Sequence, residues 1–206
     1  MGSQDFKLAV LVSGRGTNLQ AIIDAVEHRE LPAKIAIVLC NIKDAFALER
    51  AQNRGIETAF LDPKSFSGKA EYDRAMIDLL QSKSVDLVCL AGFMRILGKA
   101  FIQAFSGKII NIHPSLLPAF PGLHPQKQAL EYGVKFSGCS VHFVDEGVDS
   151  GPIILQSVVP VYDTDDEETL SSRILEQEHM LYPRAIRLCL ENRLTLSGRT
   201  VIQKKK

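Results

Sequence analysis

The sequence has no net charge, no Cys-x-x-Cys pair and no apolar run approaching a membrane span. Lys plus Arg and Asp plus Glu both number 24 among 206 residues. That balance creates no global field toward nucleic acid or anionic lipid, so neither is an expected partner. The longest apolar runs, Leu8 to Val12 and Ile35 to Leu39, fall far short of the ~20 residues a spanning helix needs. The amino end lacks a basic region followed by a long apolar stretch, so no secretory signal is expected there, and Met1-Gly2-Ser3 carries no argument. Cys40, Cys89, Cys139 and Cys189 stand far apart beside aliphatic or small residues. They read as buried, reduced thiols of a cytoplasmic protein. HExxH and HxH spacings are absent as well, so no metal is expected.

What remains is ordinary globular material: 46% hydrophobic and 23% charged residues. A chain of this size buries roughly 70% of its unfolded surface, enough for a core without staples. One domain over 1–206 is expected, with halves at 1–105 and 106–206. The first half alternates strand and helix. Strands are predicted at Phe6 to Val12, Ile35 to Cys40, Ile56 to Leu61, Val85 to Leu90 and Lys108 to Ile112. Helices are predicted at Asn18 to His28, Ala45 to Arg54, Ala70 to Lys83 and, briefly, Leu97 to Phe105. Short strands nearly continuous in Val, Ile and Leu are buried on both faces by crossover helices. The fold class is therefore α/β, a doubly wound, mostly parallel, Rossmann-like sheet with helices on both faces. The second half adds antiparallel pieces. Gly138 to Val144 pairs with Ile153 to Val159 around a turn, a long helix runs from Asp166 to Leu190, and a hairpin joins Leu194–Leu196 to Arg199–Ile202 before a frayed Lys204–Lys206 tail.

Three places could carry chemistry. Ser13-Gly14-Arg15-Gly16-Thr17-Asn18 joins the first strand to the first helix. It reads either as a tight turn or as a pocket for one phosphate at a helix amino terminus. It lacks the third glycine of a dinucleotide fingerprint and the GK[ST] of a Walker loop. Asn111-Ile112-His113-Pro114-Ser115 ends the fifth strand, where open α/β sheets place ligands. Alternation puts Asn111 and His113 on one side. An amide and an imidazole there could stabilise an oxyanion and move protons, or merely tie down a loop and cap a helix. Asp149 sits in a turn before Ser150-Gly151. Beside His113 it would raise the imidazole's pKa; alone it would be an Asx turn. His142 reads as a structural or pocket-lining imidazole. His124 has no metal spacing, and His28 and His179 read as helix-surface or satisfied-core residues.

Taken together, these blocks resemble the phosphoribosylglycinamide formyltransferase family, also called glycinamide ribonucleotide transformylases. The matching segments are Ser13 to Gln20, Leu90 to Leu97, Asn111 to Pro118, and Gly138 to Val144 with Asp149-Ser150-Gly151-Pro152. The resemblance implies transfer of a formyl group from 10-formyltetrahydrofolate, a co-substrate, to the amine of glycinamide ribonucleotide in de novo purine synthesis, without a metal. It implies that Gly16, Thr17 and Asn18 hold the ribonucleotide phosphate and that Glu178 binds its sugar or glycinamide part. By the same resemblance Met94, Arg95, Ile96 and Leu97 line the pteridine pocket, Asp145, Glu146, Gly147, Val148 and Asp149 close over it, and Asn111, His113 and Asp149 form the catalytic trio. Asn111 and Asp149 also touch the folate. Lys69 stands where relatives often have Arg for the folate tail, losing the bidentate fork. A monomer or homodimer is expected. The nearest rivals are methionyl-tRNA formyltransferase, which adds a basic tRNA-binding domain, and formyltetrahydrofolate hydrolase, which adds an amino-terminal regulatory one; a non-catalytic nucleotide-binding domain would not need the trio.

Overall fold

The first strand, β1 (Phe6–Val12), carries Leu8 through Val12 in succession, and all five are fully buried. A strand hidden on both faces must lie inside a sheet covered by helices. The computed structural model describes residues 6–204; Met1-Gly2-Ser3 and the last two residues of the expected frayed tail lie outside that range. After β1 come α1 (Thr17–Glu27), β2 (Ala33–Cys40), α2 (Phe46–Gln52), β3 (Thr58–Phe60), α3 (Lys69–Ser82), β4 (Leu87–Leu90), α4 (Lys99–Ala104) and β5 (Ile109–His113). The chain continues with α5 (Pro125–Tyr132), β6 (Phe136–Phe143), β7 (Ile153–Pro160), α6 (Glu167–Leu190), β8 (Leu194–Ser197) and β9 (Thr200–Gln203). The large sheet runs β3-β2-β1-β4-β5-β6-β7, and β8-β9 form a separate ribbon. This is the expected doubly wound α/β class with antiparallel additions.

Two compact units divide at Ile110 and Asn111. In the first, β1 pairs in parallel with both β2 and β4, and β2 with β3. Consecutive strands therefore go one way from β1 and later ones the other. Such a reversal opens a crevice at the carboxyl ends of β1 and β4. Helix α1 turns Leu19, Ile22 and Ile23 inward and α3 turns in Tyr72, Met76, Ile77 and Leu80. Leu79, beside Leu80 on the same helix, is half-exposed. The third strand is shorter than predicted, because Ile56 N–H bonds back to Ala51 O at the end of α2 and regular pairing with β2 covers only Thr58–Phe60.

In the second unit β6 and β7 pair antiparallel, with a register shift between Val141 and His142. Helix α6 begins with a reciprocal cap. The Asp166 side chain accepts from Thr169 N–H while Thr169 returns the bond to the Asp166 backbone, and Glu167 and Glu168 occupy the first turn. Acids there complement the helix dipole. Helix α5 was not predicted. Cys40, Cys89 and Cys139 are buried as expected, but Cys189 is only half-buried, near the carboxyl end of α6.

Candidate active site

The first unit gathers its candidate residues at the β1–β4 crevice. Ser13, just past β1, binds two other loops. Its N–H donates to Gly92 O at 3.1 Å, and its hydroxyl accepts from Met94 N–H at 2.8 Å and donates to Asn41 Oδ1 at 2.5 Å. Gly16 then turns into the left-handed region at φ 72° as the N-cap of α1, without a side-chain cap. A helix start left this way presents backbone N–H groups and a positive dipole end to an anion. Thr17 opens the helix and Asn18 is buried behind it. Helix α2 braces the loop: Ala47 N–H donates to Gly14 O at 3.1 Å and Arg50 Nε to Arg15 O at 2.9 Å.

The segment after β4 divides its side chains. Met94 and Ile96 are exposed and Leu97 is buried, so Leu97 packs into the protein rather than presenting its surface. Arg95 lies over the Tyr72 ring, 5.2 Å from its centroid. Lys69 begins α3, and one turn along stands Asp73, a buried carboxyl the sequence reading missed. Burial pushes the Asp73 pKa up, opposed by Lys69, by a hydrogen bond from Gly98 N–H and by Arg95. The only sequence hint was the Lys69–Asp73 spacing, which on a helix ordinarily marks a solvated pair.

The second unit brings Asn111, His113, His142 and Asp149 together. Strand β5 delivers Asn111 and His113, β6 delivers His142, and the loop after β6 delivers Asp149 at a left-handed φ of 49°. Positive φ at a non-glycine residue is held only where its surroundings impose it, and such residues gather at functional sites. Asp149 Oδ2 accepts from Gly122 N–H at 2.8 Å and lies 3.4 Å from His113 Nδ1. Its Oδ1 is 3.4 Å from Asn111 Nδ2 and 3.7 Å from His142 Nε2. His142 Nδ1 is 2.8 Å from Phe143 O, an acceptor only, so we assign the proton to Nδ1. Nε2 then accepts from Asn111 Nδ2 at 3.2 Å. Both amide protons of Asn111 are thereby directed at protein acceptors.

His113 Nε2 is 3.0 Å from Phe120 O and must donate to it. Its other nitrogen faces Asp149 at 3.4 Å, longer than the ~2.7–2.9 Å of a charge-assisted bond. The expected rise in the His113 pKa is not found. Burial lowers it and outweighs the upward pull of Phe120 O and Asp149, with His142 adding a further downward push. Asp149 shifts downward: burial would raise its pKa, but His142, Gly122 N–H and the His113 charge more than offset this. The resting pair is thus a neutral imidazole beside a carboxylate, one proton short of the ion pair that the two acceptors around His113 could hold.

The rest of the Asp145–Asp149 loop is fastened to itself. Asp145 Oδ1 accepts from Gly147 N–H at 3.1 Å and from the Ser150 hydroxyl at 2.6 Å. Glu146, Gly147 and Val148 are exposed at its tip. Glu178 is buried on α6, and its charge helps burial push the Cys139 thiol up to about 12. The remaining histidines stand apart from this cluster. His124 is exposed at the start of α5, 4.0 Å from Glu167; His28 is exposed at the end of α1; His179 is half-buried in α6. Among the described residues no group of three His, Cys, Asp or Glu is arranged to hold a metal ion, and no helix is long and apolar enough to cross a membrane.

Comparison with known proteins agrees with this architecture. Residues 6–186 match the family model described as Formyl transferase. The chain is 50% identical over 190 residues to phosphoribosylglycinamide formyltransferase of Haemophilus influenzae, covering 92% of this chain and 90% of that one. It is 46% identical over 193 residues to the trifunctional purine biosynthetic protein adenosine-3 of Drosophila melanogaster, where it spans only 14% of the relative's length. Among solved structures, glycinamide ribonucleotide transformylase 1 of Symbiobacterium toebii superimposes with a TM-score of 0.97 at 49% identity, covering 99% of this chain and 96% of that one. A match over this share of the sequence, on a fold of the same topology, makes the chain a member of the formyl transferase family.

Proposed function

We propose that the chain transfers the formyl group of 10-formyltetrahydrofolate to the amine of glycinamide ribonucleotide, in purine biosynthesis, as a cytoplasmic enzyme. The observation that carries this reading is the convergence of Asn111, His113, His142 and Asp149 at the end of β5. Such a group can stabilise an oxyanion and relay a proton without a covalent nucleophile. Relatives at 46–50% identity over nine-tenths of the chain carry the formyltransferase name, which favours transfer over hydrolysis.

In this scheme the glycinamide amine attacks the formyl carbon, forming a C–N bond and a tetrahedral oxyanion. Asn111 offers an amide proton to that oxygen, which requires one N–H to leave His142 or Asp149. His113 enters neutral. Its Nδ1 takes up the proton that the attacking amine releases, and Asp149 stabilises the imidazolium as it forms. The proton then passes to N10 of the folate as the N10–carbon bond breaks. Gly16, Thr17 and Asn18 hold the ribonucleotide phosphate, and Glu178 its sugar or glycinamide part. Met94, Arg95 and Ile96 receive the pteridine with Leu97 packed beneath them, Lys69 attracts the folate's glutamate carboxylates, and the loop from Asp145 to Asp149 covers the ring. The substrates are small molecules and the enzyme is a monomer or homodimer.

An absorbance assay with a 10-formylfolate donor tests the reading, using glycinamide ribonucleotide, no acceptor and charged initiator tRNA in parallel. Donor consumption that depends on glycinamide ribonucleotide is the expected result. Loss without any acceptor would make the protein a hydrolase instead.

A further inference from the structure

We propose that Arg50 is a positioning residue for the anion-binding loop, working by orienting the peptide units of Gly14 to Gly16 rather than by touching the ligand. The proposal rests on the reading that this loop holds the ribonucleotide phosphate. Two consecutive carbonyls of the loop are pinned from one side by α2: Gly14 O by Ala47 N–H and Arg15 O by Arg50 Nε. A trans peptide unit is planar, with its C=O and N–H pointing in opposite directions. Pinning those two oxygens toward α2 therefore turns the N–H groups of Arg15 and Gly16 away from it. Successive N–H groups turned the same way make an anion-binding concavity, continued here by the first turn of α1.

The arrangement leaves little freedom. Arg50 Nη1 also reaches Gln20 Oε1 at 3.1 Å, so one guanidinium spans the loop and the second turn of α1. The Phe46 ring supports that guanidinium from 5.0 Å. Ala47 fills the space behind Gly16, where a Cβ would lie 2.6 Å from the Ala47 Cβ. A planar fork can hold a carbonyl and an amide oxygen at once, whereas an ammonium on a flexible stem can hold only one in fixed geometry. None of these contacts involves the cluster around His113.

The test compares Arg50→Met, which keeps the stem on Phe46, and Arg50→Lys, which keeps the charge, with the unsubstituted protein. Thermal unfolding and circular dichroism establish that each variant is folded; should Arg50→Met fail to fold, Arg50→Lys carries the comparison. Inorganic phosphate affinity is measured by calorimetry, and KM and kcat are measured with glycinamide ribonucleotide and with its dephosphorylated riboside. We expect Arg50→Met to weaken phosphate binding and raise the ribonucleotide KM about tenfold, the equivalent of ~1.4 kcal/mol. We expect kcat to hold and the riboside KM to stay unchanged, with Arg50→Lys falling between. Unchanged phosphate affinity in the variants, or the same change in KM with the riboside, would overturn the proposal. Phosphate binding that depends on Arg50 in a protein without formyl transfer would instead uphold the clamp and remove the proposed activity.

Discussion

Gly98 stands at φ −84° and ψ 163°, extended backbone that any residue can adopt, so alanine there strains nothing by itself. What excludes a side chain is Asp73: a Cβ would lie 1.9 Å from its Oδ2. Gly98→Ala must therefore push the carboxylate off the Gly98 N–H it accepts from. A hydrogen bond to a charged group is worth ~1.5–3 kcal/mol, and a polar group left buried without a partner costs at least ~1 kcal/mol more. The single substitution is expected to destabilise the protein by roughly 2.5–4 kcal/mol on that account. Remove the obstacle with Asp73→Ala and the same change should become neutral or stabilising by up to ~1 kcal/mol, because Gly→Ala at compatible dihedrals restricts the unfolded chain. Urea unfolding of the four proteins of this cycle gives the coupling directly, and we expect about 3 kcal/mol. A Gly98→Ala effect of equal size with and without Asp73 would show that the carboxylate does not hold this loop. Since Gly98 follows Met94–Leu97, KM for the formyl donor should rise and recover in the same pattern.

His113→Ala should leave ribonucleotide affinity nearly intact while lowering kcat about 10²–10⁴-fold, the usual cost of losing a positioned general acid–base; comparable losses in binding and turnover would make His113 structural. Stability should fall toward acid in two stages. Because the folded His113 pKa lies below its ordinary 6.5, the unfolded chain takes up that proton first, and stability declines as pH drops through that value toward the folded pKa. The contribution of Asp149, whose folded pKa lies below 3.8, is complete above its unfolded value and is lost only as pH falls further, toward the folded one. Urea midpoints from pH 8 to 3 in the unsubstituted protein and His113→Gln check the sign: the variant should lose the first decline and keep the second.

Where local rules and tertiary structure agreed, the sequence was easy to read. Strands β1, β2 and β4 announced themselves through consecutive aliphatics, and the α6 start through the acids among Thr164 to Glu168. Helix α5 was missed because Gln126, Lys127 and Gln128 give no apolar stripe, and only Pro125 and Ala129 are buried in it. Its remaining marks were Pro125 at the first position and Gly133 beyond the last. Asp73 escaped because its burial is created by Gly98, a residue from another loop, and no pattern within α3 reports that. Strand alternation put Asn111 and His113 on one side of β5, whereas the turn around Asp149 allowed a plain Asx turn and only the family resemblance joined that carboxylate to them. The part of His142 in the same cluster depends on the register shift beside Val141, which only pairing with β7 reveals. The sign of the His113 shift failed for a related reason: residue identities show which charges are available, but desolvation is a property of the whole fold.

The self-fastened loop from Asp145 to Ser150 bears on how tightly the site can hold a ligand. Phe143 N–H donates to Pro152 O at 2.9 Å across its neck, Arg199 donates to Ser150 O, and Gly151 lies so close to Phe143 O that a Cβ would fall 1.8 Å from it. Fixing the backbone of a loop costs ~1–2 kcal/mol per residue in conformational entropy. Here that cost is met when the chain folds, so it is not subtracted again from ligand affinity. Encounter with a ligand meets Asp149 already aimed.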